Sequence, residues 1–211
     1  MTKRLAIVLA AGKGTRMKSE LPKVLCPVRG KPMIQFVLDT LRACGVERIV
    51  VVVGYRADLV RDALQGQEDL EFVVQAQQLG TGHAVMMCRE QLQQHQGPVL
   101  IVTGDSPLTQ ASSIEKLFRA YEDGRAVGVL GTLHKEDPQG LGRIVRNDRD
   151  EFLAIVEEKD ATDEQRALTE VNMSTYVFDA QRLLAALAEL TNANEQQEYY
   201  VTDCPGILNG W

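Results

Sequence analysis

The sequence predicts an α/β fold, because short apolar segments alternate with longer segments of helical character. Apolar, β-branched runs occupy residues 5–9, 49–53, 72–74 and 99–102, and segments of roughly ten residues or more separate them. Such alternation is typical of a largely parallel sheet with helices on both faces, in which ligands bind beyond the carboxyl ends of the strands. We therefore expect a three-layer, Rossmann-like fold with a mixed, mostly parallel central sheet and a second lobe.

Helices are expected between these strands in the first half of the chain. The first begins at Pro32, a residue suited to the first helical turn, and ends before Gly45, which favours a helix terminus. Three more helices are predicted at residues 58–64, 80–94 and 112–123.

The second half of the chain is predicted to contain more strands than helices. A hairpin is expected around residues 147–150, where an Asn-Asp-Arg-Asp run separates two short apolar segments. The predicted strands are residues 127–133, 142–145, 152–156 and 171–178, followed by a helix at 180–190. The sequence contains no linker and no internal repeat. We therefore expect one domain over residues 1–211, with halves of about 1–110 and 111–211.

Composition and charge exclude several classes of protein. The chain is 45% hydrophobic and 25% charged, as an ordinary globular protein is, and no apolar run approaches the roughly 20 residues that a membrane span needs. The net charge of −6 argues against general nucleic-acid binding, which requires a basic face. The four cysteines are scattered, as in reduced thiols, and the N-terminus lacks a secretory cleavage pattern. We expect a cytoplasmic protein without membrane or nucleic-acid partners.

Residues 9–17, with the sequence Leu-Ala-Ala-Gly-Lys-Gly-Thr-Arg-Met, are predicted to form a phosphate-binding loop. An apolar strand runs directly into small residues and glycines, whose backbone N–H groups are free to meet an anion. The loop is neither a Walker A motif nor a Rossmann fingerprint, which would need glycine at Met17. Arg16 and Lys23 are therefore candidate clamps for a triphosphate. The alternative, and the commoner fate of a loop cation, is a solvated surface charge.

Two further segments carry side chains suited to a nucleotide. Asp105 follows an apolar run and precedes Pro107, so a strand delivers its carboxylate to the edge of the sheet. Mg2+ prefers one or two carboxylates together with phosphate oxygens and waters, although an Asx turn would explain the same aspartate. Residues 75–82 carry glutamine amides that can both donate and accept, as recognition of a base edge requires. A simple polar connector is the alternative there.

Two other chemistries have little support in the sequence. The three histidines lie far apart and no Gly-x-Ser-x-Gly motif accompanies them, which disfavours a serine hydrolase. Glu157 and Glu158 are adjacent, so on a strand they would face opposite sides and make a poor acid/base pair for a glycosidase.

Seven segments together resemble the uridyltransferase domain of the bacterial N-acetylglucosamine-1-phosphate uridyltransferases. These are residues 9–17, 22–25, 75–84, 104–108, 137–144, 155–161 and 198–203, so the resemblance covers nearly the whole chain. The Gly-x-Gly-Thr-Arg motif alone would indicate only the nucleotidyltransferase superfamily. The Gln-Leu-Gly-Thr-Gly-His-Ala motif at 78–84 and the Gly-x-Gly-Arg-Ile motif at 140–144 indicate this branch.

The resemblance implies transfer of UMP from UTP to a sugar 1-phosphate, N-acetylglucosamine 1-phosphate, with Mg2+ as cofactor. It implies a catalytic set of Arg16, Lys23 and Asp105, with Asp105 as the metal ligand. The implied nucleotide-binding positions are Leu9, Ala10, Ala11, Gly12, Gly14, Gln75, Gln78, Gly80 and Thr81. The implied sugar-phosphate positions are Gly142, Glu157, Asn172 and Thr202, which makes the second lobe the sugar side.

The chain departs from the family pattern in three places and leaves two other functions open. Cys26 stands where the family usually has histidine, Thr103 where it often has tyrosine, and residues 172–174 read Asn-Met-Ser instead of Asn-Thr-Gly. Family members are expected to continue past Trp211 into a strand with a second metal ligand, and commonly into a left-handed β-helix acetyltransferase domain; none is expected within this chain. The alternatives are a uridyltransferase for another sugar 1-phosphate, such as glucose 1-phosphate, and a non-catalytic nucleotide-sugar binding or regulatory protein.

Overall fold

The computed structural model describes residues 3–14, 20–124 and 126–210. The strands within these ranges are β1 (Leu5–Ala10), β2 (Pro27–Val28), β3 (Lys31–Pro32), β4 (Arg48–Val53), β5 (Leu70–Val74), β6 (Pro98–Thr103), β7 (Gly128–His134), β8 (Arg143–Arg146), β9 (Phe152–Val156) and β10 (Glu170–Asp179). The helices are α1 (Met33–Ala43), α2 (Ala57–Ala63), α3 (Thr81–Met86), α4 (Arg89–Gln93), α5 (Ala111–Asp123), α6 (Asp163–Arg166), α7 (Ala180–Glu189) and α8 (Cys204–Asn209). Single 3-10 turns span Lys23–Leu25 and Val201–Asp203.

Eight of the strands form one mixed sheet. Its order is β5-β4-β1-β6-β10-β8-β9, and β7 pairs with β10. Strand β1 lies in the parallel part, between β4 and β6, and β4 pairs in parallel with β5. Strand β10 runs antiparallel to β6, and the pairs it makes with β7 and β8 are also antiparallel. The mixed central sheet that the sequence predicts is confirmed, and the sheet continues through both halves of the chain.

Helices cover both faces of the sheet. Because successive residues of a strand point to opposite faces, Ala6 and Val8 of β1 pack with α1, α2 and α5. Leu5 and Ile7 of the same strand pack with α3, α4, α7 and α8. The layers are therefore helix, sheet and helix, as the alternation in the sequence predicts.

The helix predicted at residues 80–94 is instead two short helices, α3 and α4. They are separated at Cys88, whose backbone leaves the helical region with φ −89° and ψ 19°. Val85, Cys88 and Leu92 are all fully buried in one core, so the bend keeps the apolar side chains of both helices against the same surface. No glycine or proline marks the break, and the sequence pattern alone therefore predicts one continuous helix.

The structure also shows whether any helix could span a membrane and whether the cysteines are paired. Across the described ranges, no helix is long and apolar enough to cross a membrane. The four cysteines are all buried and free. Burial raises the pKa of the Cys88 and Cys204 thiols to about 12, so both stay protonated near neutral pH.

Phe118 provides a test of the core under α5. Its side chain is fully buried, and its ring centroid lies 4.2 Å from the guanidinium carbon of Arg4. We expect Phe118→Ala to lower the free energy of unfolding, measured in urea, by about 3–5 kcal/mol, because the lost ring leaves a cavity. Leu108→Ala is the control, since Leu108 is 87% exposed, and should change stability by less than about 0.5 kcal/mol. Equal effects of the two substitutions would contradict the packing described.

Candidate active site

The carboxyl ends of β1, β4 and β6 meet at one edge of the sheet because these strands are parallel and in register. The loops that follow the strands are bonded to one another there. The Gly104 N–H donates to the Leu9 carbonyl at 2.9 Å, and the Tyr55 N–H donates to the Ala11 carbonyl at 3.0 Å. Residues far apart in sequence are therefore brought together at this edge.

A cleft of about 400 Å³ opens at this edge of the sheet. Its lining includes eleven of the residues predicted to bind or react with a nucleotide: Leu9, Ala10, Ala11, Gly12, Gly14, Lys23, Gln75, Gln78, Gly80, Thr81 and Asp105. Arg16, the remaining member of that predicted set, lies outside the described residues. These eleven residues thus share one surface, although they come from four separate segments.

A cation and a carboxylate meet within the cleft. The Lys23 Nζ lies 2.6 Å from the Asp105 Oδ2, and both side chains are partly exposed, by 40% and 27%. The stem of Lys23 packs against Gly14, where an added Cβ would lie 2.6 Å from the Lys23 Cβ. The glycine-rich loop therefore holds Lys23 close to the end of β6. Lys23 of this pair can bind an anion, and Asp105 can bind a cation.

The donor set at Asp105 fits a magnesium ion shared with a phosphate. Mg2+ binds through one or two carboxylates when phosphate oxygens and waters complete its shell. In the part of the chain that the structure describes, no group of three or more His, Cys, Asp or Glu side chains could hold a metal. Asp105, an accessible carboxylate beside the glycine-rich loop, thus suits an ion that arrives with its phosphate ligand.

Two glutamine amides also belong to the lining of the cleft. Gln75 is only 2% exposed, and its Nε2 donates to the Gly80 carbonyl at 3.0 Å. The same nitrogen lies 3.0 Å from the His83 Nδ1. The Gln78 Nε2 donates to the backbone carbonyl of Gln75 at 3.0 Å. Both amides are therefore held by the protein itself before any ligand binds.

Several residues of the cleft were not identified as site residues from the sequence. The lining also includes Val24, Ala84, Thr103 and Glu198. Gly54 lies directly behind it, because an added Cβ there would be 2.7 Å from the Gln78 Nε2 and 2.9 Å from the Ala11 Cβ. The sequence could have indicated Gly54 as a site residue, because it comes immediately after β4 and ligand-binding loops begin at the ends of parallel strands.

The four predicted sugar-phosphate residues form a second group, outside the lining of the cleft. The Asn172 N–H donates to the Gly142 carbonyl at 2.9 Å. The Thr202 Oγ1 donates to the Glu157 Oε1 at 3.1 Å. An added Cβ on Gly142 would lie 3.6 Å from both the Asn172 Cβ and the Glu157 Oε2, so the two pairs adjoin.

The segment 198–202, which we call the strap, connects the cleft with this second group. The Gly82 N–H donates to the Tyr199 carbonyl at 2.7 Å, and the Val201 N–H donates to the Thr81 Oγ1 at 3.1 Å. The first residue of the strap lines the cleft, and its last residue belongs to the second group. The Thr81 hydroxyl therefore has a structural role at the edge of the cleft.

Adjacent carboxylates in the second group have opposite electrostatic environments. Burial raises the pKa of Glu157, nearby charges such as Asp160 raise it further, and the hydrogen bond from Thr202 only partly offsets them. Burial also opposes ionisation of Glu158, but hydrogen bonds from the Arg143 guanidinium, at 2.8 Å, and from a backbone N–H lower its pKa overall. The two glutamates therefore make opposite contributions to the pH dependence of stability.

The close approach of the strap to Gly80 can be tested by adding a methyl group. Gly80 has φ +105°, and a Cβ there would lie 2.5 Å from the Tyr199 carbonyl oxygen. Gly66 also has a positive φ, +82°, but open space around it. We expect Gly66→Ala to lower the unfolding free energy by about 1–2 kcal/mol from backbone strain alone. Gly80→Ala should lower it clearly more, because the strap must also move. Equal losses in urea unfolding would show that the strap does not press on Gly80.

The opposite pKa shifts of the two glutamates predict opposite pH dependences of stability. An unfolded glutamate titrates near about pH 4.3, and the raised native pKa of Glu157 makes the wild type lose stability as pH rises above that value. Glu157→Gln should therefore become more stable than the wild type as pH rises towards neutrality. The lowered native pKa of Glu158 stabilises the fold at neutral pH, and this contribution disappears as pH falls through that pKa. Glu158→Gln should thus be less stable than the wild type at neutral pH, and the difference should vanish in acid.

Unfolding curves of the three proteins across this pH range provide the measurement. The two variants serve as controls for each other, because each replaces one carboxylate by an amide of the same shape at neighbouring positions. The same pH trend in both variants would contradict the environments assigned to Glu157 and Glu158.

Comparison with known proteins identifies the family of this chain. Residues 6–200 match the model of the MobA-like NTP transferase domain. The bifunctional protein GlmU of Limosilactobacillus fermentum is 50% identical over 208 residues, which are 99% of this chain and 45% of that protein. GlmU of Streptococcus sanguinis is 48% identical over 203 residues, 96% of this chain and 44% of that protein. The chain therefore spans slightly less than half the length of these curated relatives.

Solved structures share the fold at low sequence identity. A UDP-glucose pyrophosphorylase complexed with UDP-glucose matches with a TM-score of 0.79 and 18% identity, over 100% of this chain and 88% of that one. A Bacillus anthracis protein assigned as a glucose-1-phosphate thymidylyltransferase, in complex with sucrose, matches with a TM-score of 0.81 and 20% identity, over 98% of this chain and 83% of that one. These matches confirm the predicted Rossmann-like α/β fold.

The matched region contains the described cleft and three of the four residues of the second group, Gly142, Glu157 and Asn172. The resemblance inferred from the sequence motifs is confirmed by the identity to GlmU, and the predicted enzyme class, a nucleotidyltransferase, is confirmed with it. This chain belongs to the MobA-like NTP transferase domain family.

Proposed function

We propose that this chain transfers UMP from UTP to N-acetylglucosamine 1-phosphate in the cytoplasm, releasing pyrophosphate and the UDP-sugar. One observation carries the proposal: a single cleft joins a glycine-rich loop, the Lys23 and Asp105 pair, and the amides of Gln75 and Gln78. A nucleoside triphosphate requires a phosphate clamp, a carboxylate for its metal and polar groups for its base, and the cleft offers all three. The similarity to the GlmU proteins, over slightly less than half their length, supports the identity of the sugar.

The chain does not need to provide a general base for this reaction. A sugar phosphate is already a competent nucleophile, so catalysis depends on aligning it opposite the pyrophosphate leaving group and on neutralising negative charge. Lys23 has an accessible ammonium group that can exchange its contact with Asp105 for one with a phosphate oxygen. Asp105 would hold Mg2+, which when bound supplies charge neutralisation at the phosphates.

The second group is suited to hold the sugar. The Glu157 carboxylate can accept hydrogen bonds from hydroxyl groups, as it already accepts one from Thr202. Gly142 is tightly packed in this group, because a Cβ there would lie 3.2 Å from the Ile155 Cγ2 and 3.6 Å from the Glu157 Oε2, so a side chain at this position would crowd the carboxylate. The strap connects this group to the cleft, which supports a sugar site adjoining the triphosphate site.

Pyrophosphate release from UTP, Mg2+ and N-acetylglucosamine 1-phosphate is the direct test. We expect Lys23→Ala to lower kcat by about 100-fold or more, by analogy with removal of a charge-stabilising donor at an active site. Asp105→Ala should reduce the rate to background, because the metal loses its protein ligand. Lys116→Ala is the matched control and should leave the rate unchanged, since Lys116 is exposed on α5 and does not line the cleft.

Three outcomes of this assay would overturn the proposal in different ways. Faster release with glucose 1-phosphate than with N-acetylglucosamine 1-phosphate would assign the chain to a different sugar. Tight binding of a UDP-sugar without any pyrophosphate release would show a binding or regulatory protein. Release that is unaffected by Asp105→Ala would place the chemistry outside the cleft.

A further inference from the structure

The hydrogen bonds around Gln75 determine which way its carboxamide faces. Its terminal nitrogen lies 3.0 Å from the Gly80 carbonyl oxygen, which also accepts from the Ala84 N–H at 3.1 Å. A carbonyl oxygen can only accept, so the atom of Gln75 that meets it must be the NH2 group. The reversed amide would bring its own oxygen against the Gly80 carbonyl oxygen. This contact would be buried and unfavourable, because Gln75 is only 2% exposed.

His83 accepts a hydrogen bond from the second N–H of this amide. Its Nδ1 lies 3.0 Å from the Gln75 Nε2, which is a donor in the only orientation that Gly80 permits. The Nδ1 must therefore accept, and the proton of a neutral imidazole then resides on its Nε2. The His83 ring is itself next to the strap, with its centroid 6.4 Å from that of the Tyr199 ring.

The oxygen of the Gln75 amide is left to meet a ligand. Both N–H groups are used within the protein, and among the described residues none donates to the Oε1. Gln75 lines the cleft, and its Oε1 is not among the fully buried side-chain atoms of the described residues that lack a partner, so this oxygen is accessible to a ligand. Uracil carries an N–H group at ring position 3, whereas cytosine carries an acceptor nitrogen there. A fixed acceptor therefore favours uracil over cytosine.

We propose that His83 is a positioning residue that fixes the Gln75 carboxamide with its oxygen towards the base, and so sets the preference for a uracil nucleotide. This inference rests on the proposed function and adds a residue to it. His83 acts through Gln75 and does not touch the nucleotide. Its effect is therefore on binding and on discrimination between bases, while the phosphate chemistry at Lys23 and Asp105 is left intact.

The test compares UTP with CTP in the pyrophosphate assay for His83→Phe and His83→Asn. His83→Phe keeps a ring near Tyr199 and removes the acceptor, so KM for UTP should rise about tenfold with little change in kcat. The preference in kcat/KM for UTP over CTP should fall by a similar factor. His83→Asn places a carbonyl oxygen near the position of the Nδ1. It should therefore restore most of the wild-type KM for UTP and most of the preference for UTP over CTP. His134→Phe, at an exposed histidine on β7, is the matched control and should match the wild type.

A double-mutant cycle with Gln75→Ala separates positioning from general destabilisation. If His83 acts through Gln75, His83→Phe should have no further effect on the UTP preference once the amide is gone. The same loss in both backgrounds, or a loss confined to kcat, would overturn the proposal. An unchanged preference for UTP would also overturn the proposal if the His83→Phe variant unfolds at the same temperature as the wild type.

A measurement on the unaltered protein keeps the inference testable if the His83→Phe variant does not fold. Nitrogen-proton correlation spectra of the imidazole distinguish the two neutral tautomers. We expect the proton of His83 on Nε2, and a proton on Nδ1 would overturn the proposal. If the wild type releases no pyrophosphate with any nucleotide, the proposed function fails, whereas the tautomer still decides whether His83 holds Gln75.

Discussion

The parallel pairing of β1 with β4 and β6 is the constraint on which the whole site depends. Each residue of β1 from Leu5 to Ala10 has a partner in β4, and the strands are buried on both faces. Parallel strands end at the same edge, so the loops that follow them must lie side by side. The bond from Gly104 to Leu9 then joins the metal-binding candidate Asp105 to the glycine-rich loop. A shift of register in this sheet would separate the two.

The strap is the second constraint, because it borders the cleft and connects it to the second group of site residues. Its backbone passes so close to Gly80 and Gly82 that no side chain fits at either position. Two glycines in one short motif therefore serve packing in addition to any contact with a ligand. The strap also bonds to Thr81 and Glu157, so one short segment sets the position of both groups of site residues relative to each other.

Polar side chains in the site are oriented by protein partners whose chemistry allows only one arrangement. The Gly80 carbonyl can only accept, which fixes the amide of Gln75, and this in turn fixes the tautomer of His83. Glu157 and Glu158 are neighbours with the same side chain, yet their pKa values move in opposite directions. The difference arises because burial raises the pKa of Glu157, whereas the Arg143 guanidinium, itself only 1% exposed, pairs with Glu158 and lowers its pKa. Environment rather than residue type therefore decides the behaviour of each group.

The sequence predicts, from local patterns alone, the alternation of strands and helices, the glycine-rich loop after β1, and the carboxylate of Asp105 at a strand end. It could not determine the bend at Cys88, the contact of Gly54 with Gln78, or the bond between His83 and Gln75. These features depend on how separate segments pack, and a local pattern carries no information about distance across the fold. The family resemblance named candidate site residues, but their division between the cleft and the group beyond the strap is visible only in the folded chain. Strand order and sheet register, not spacing along the chain, set the distances between these residues.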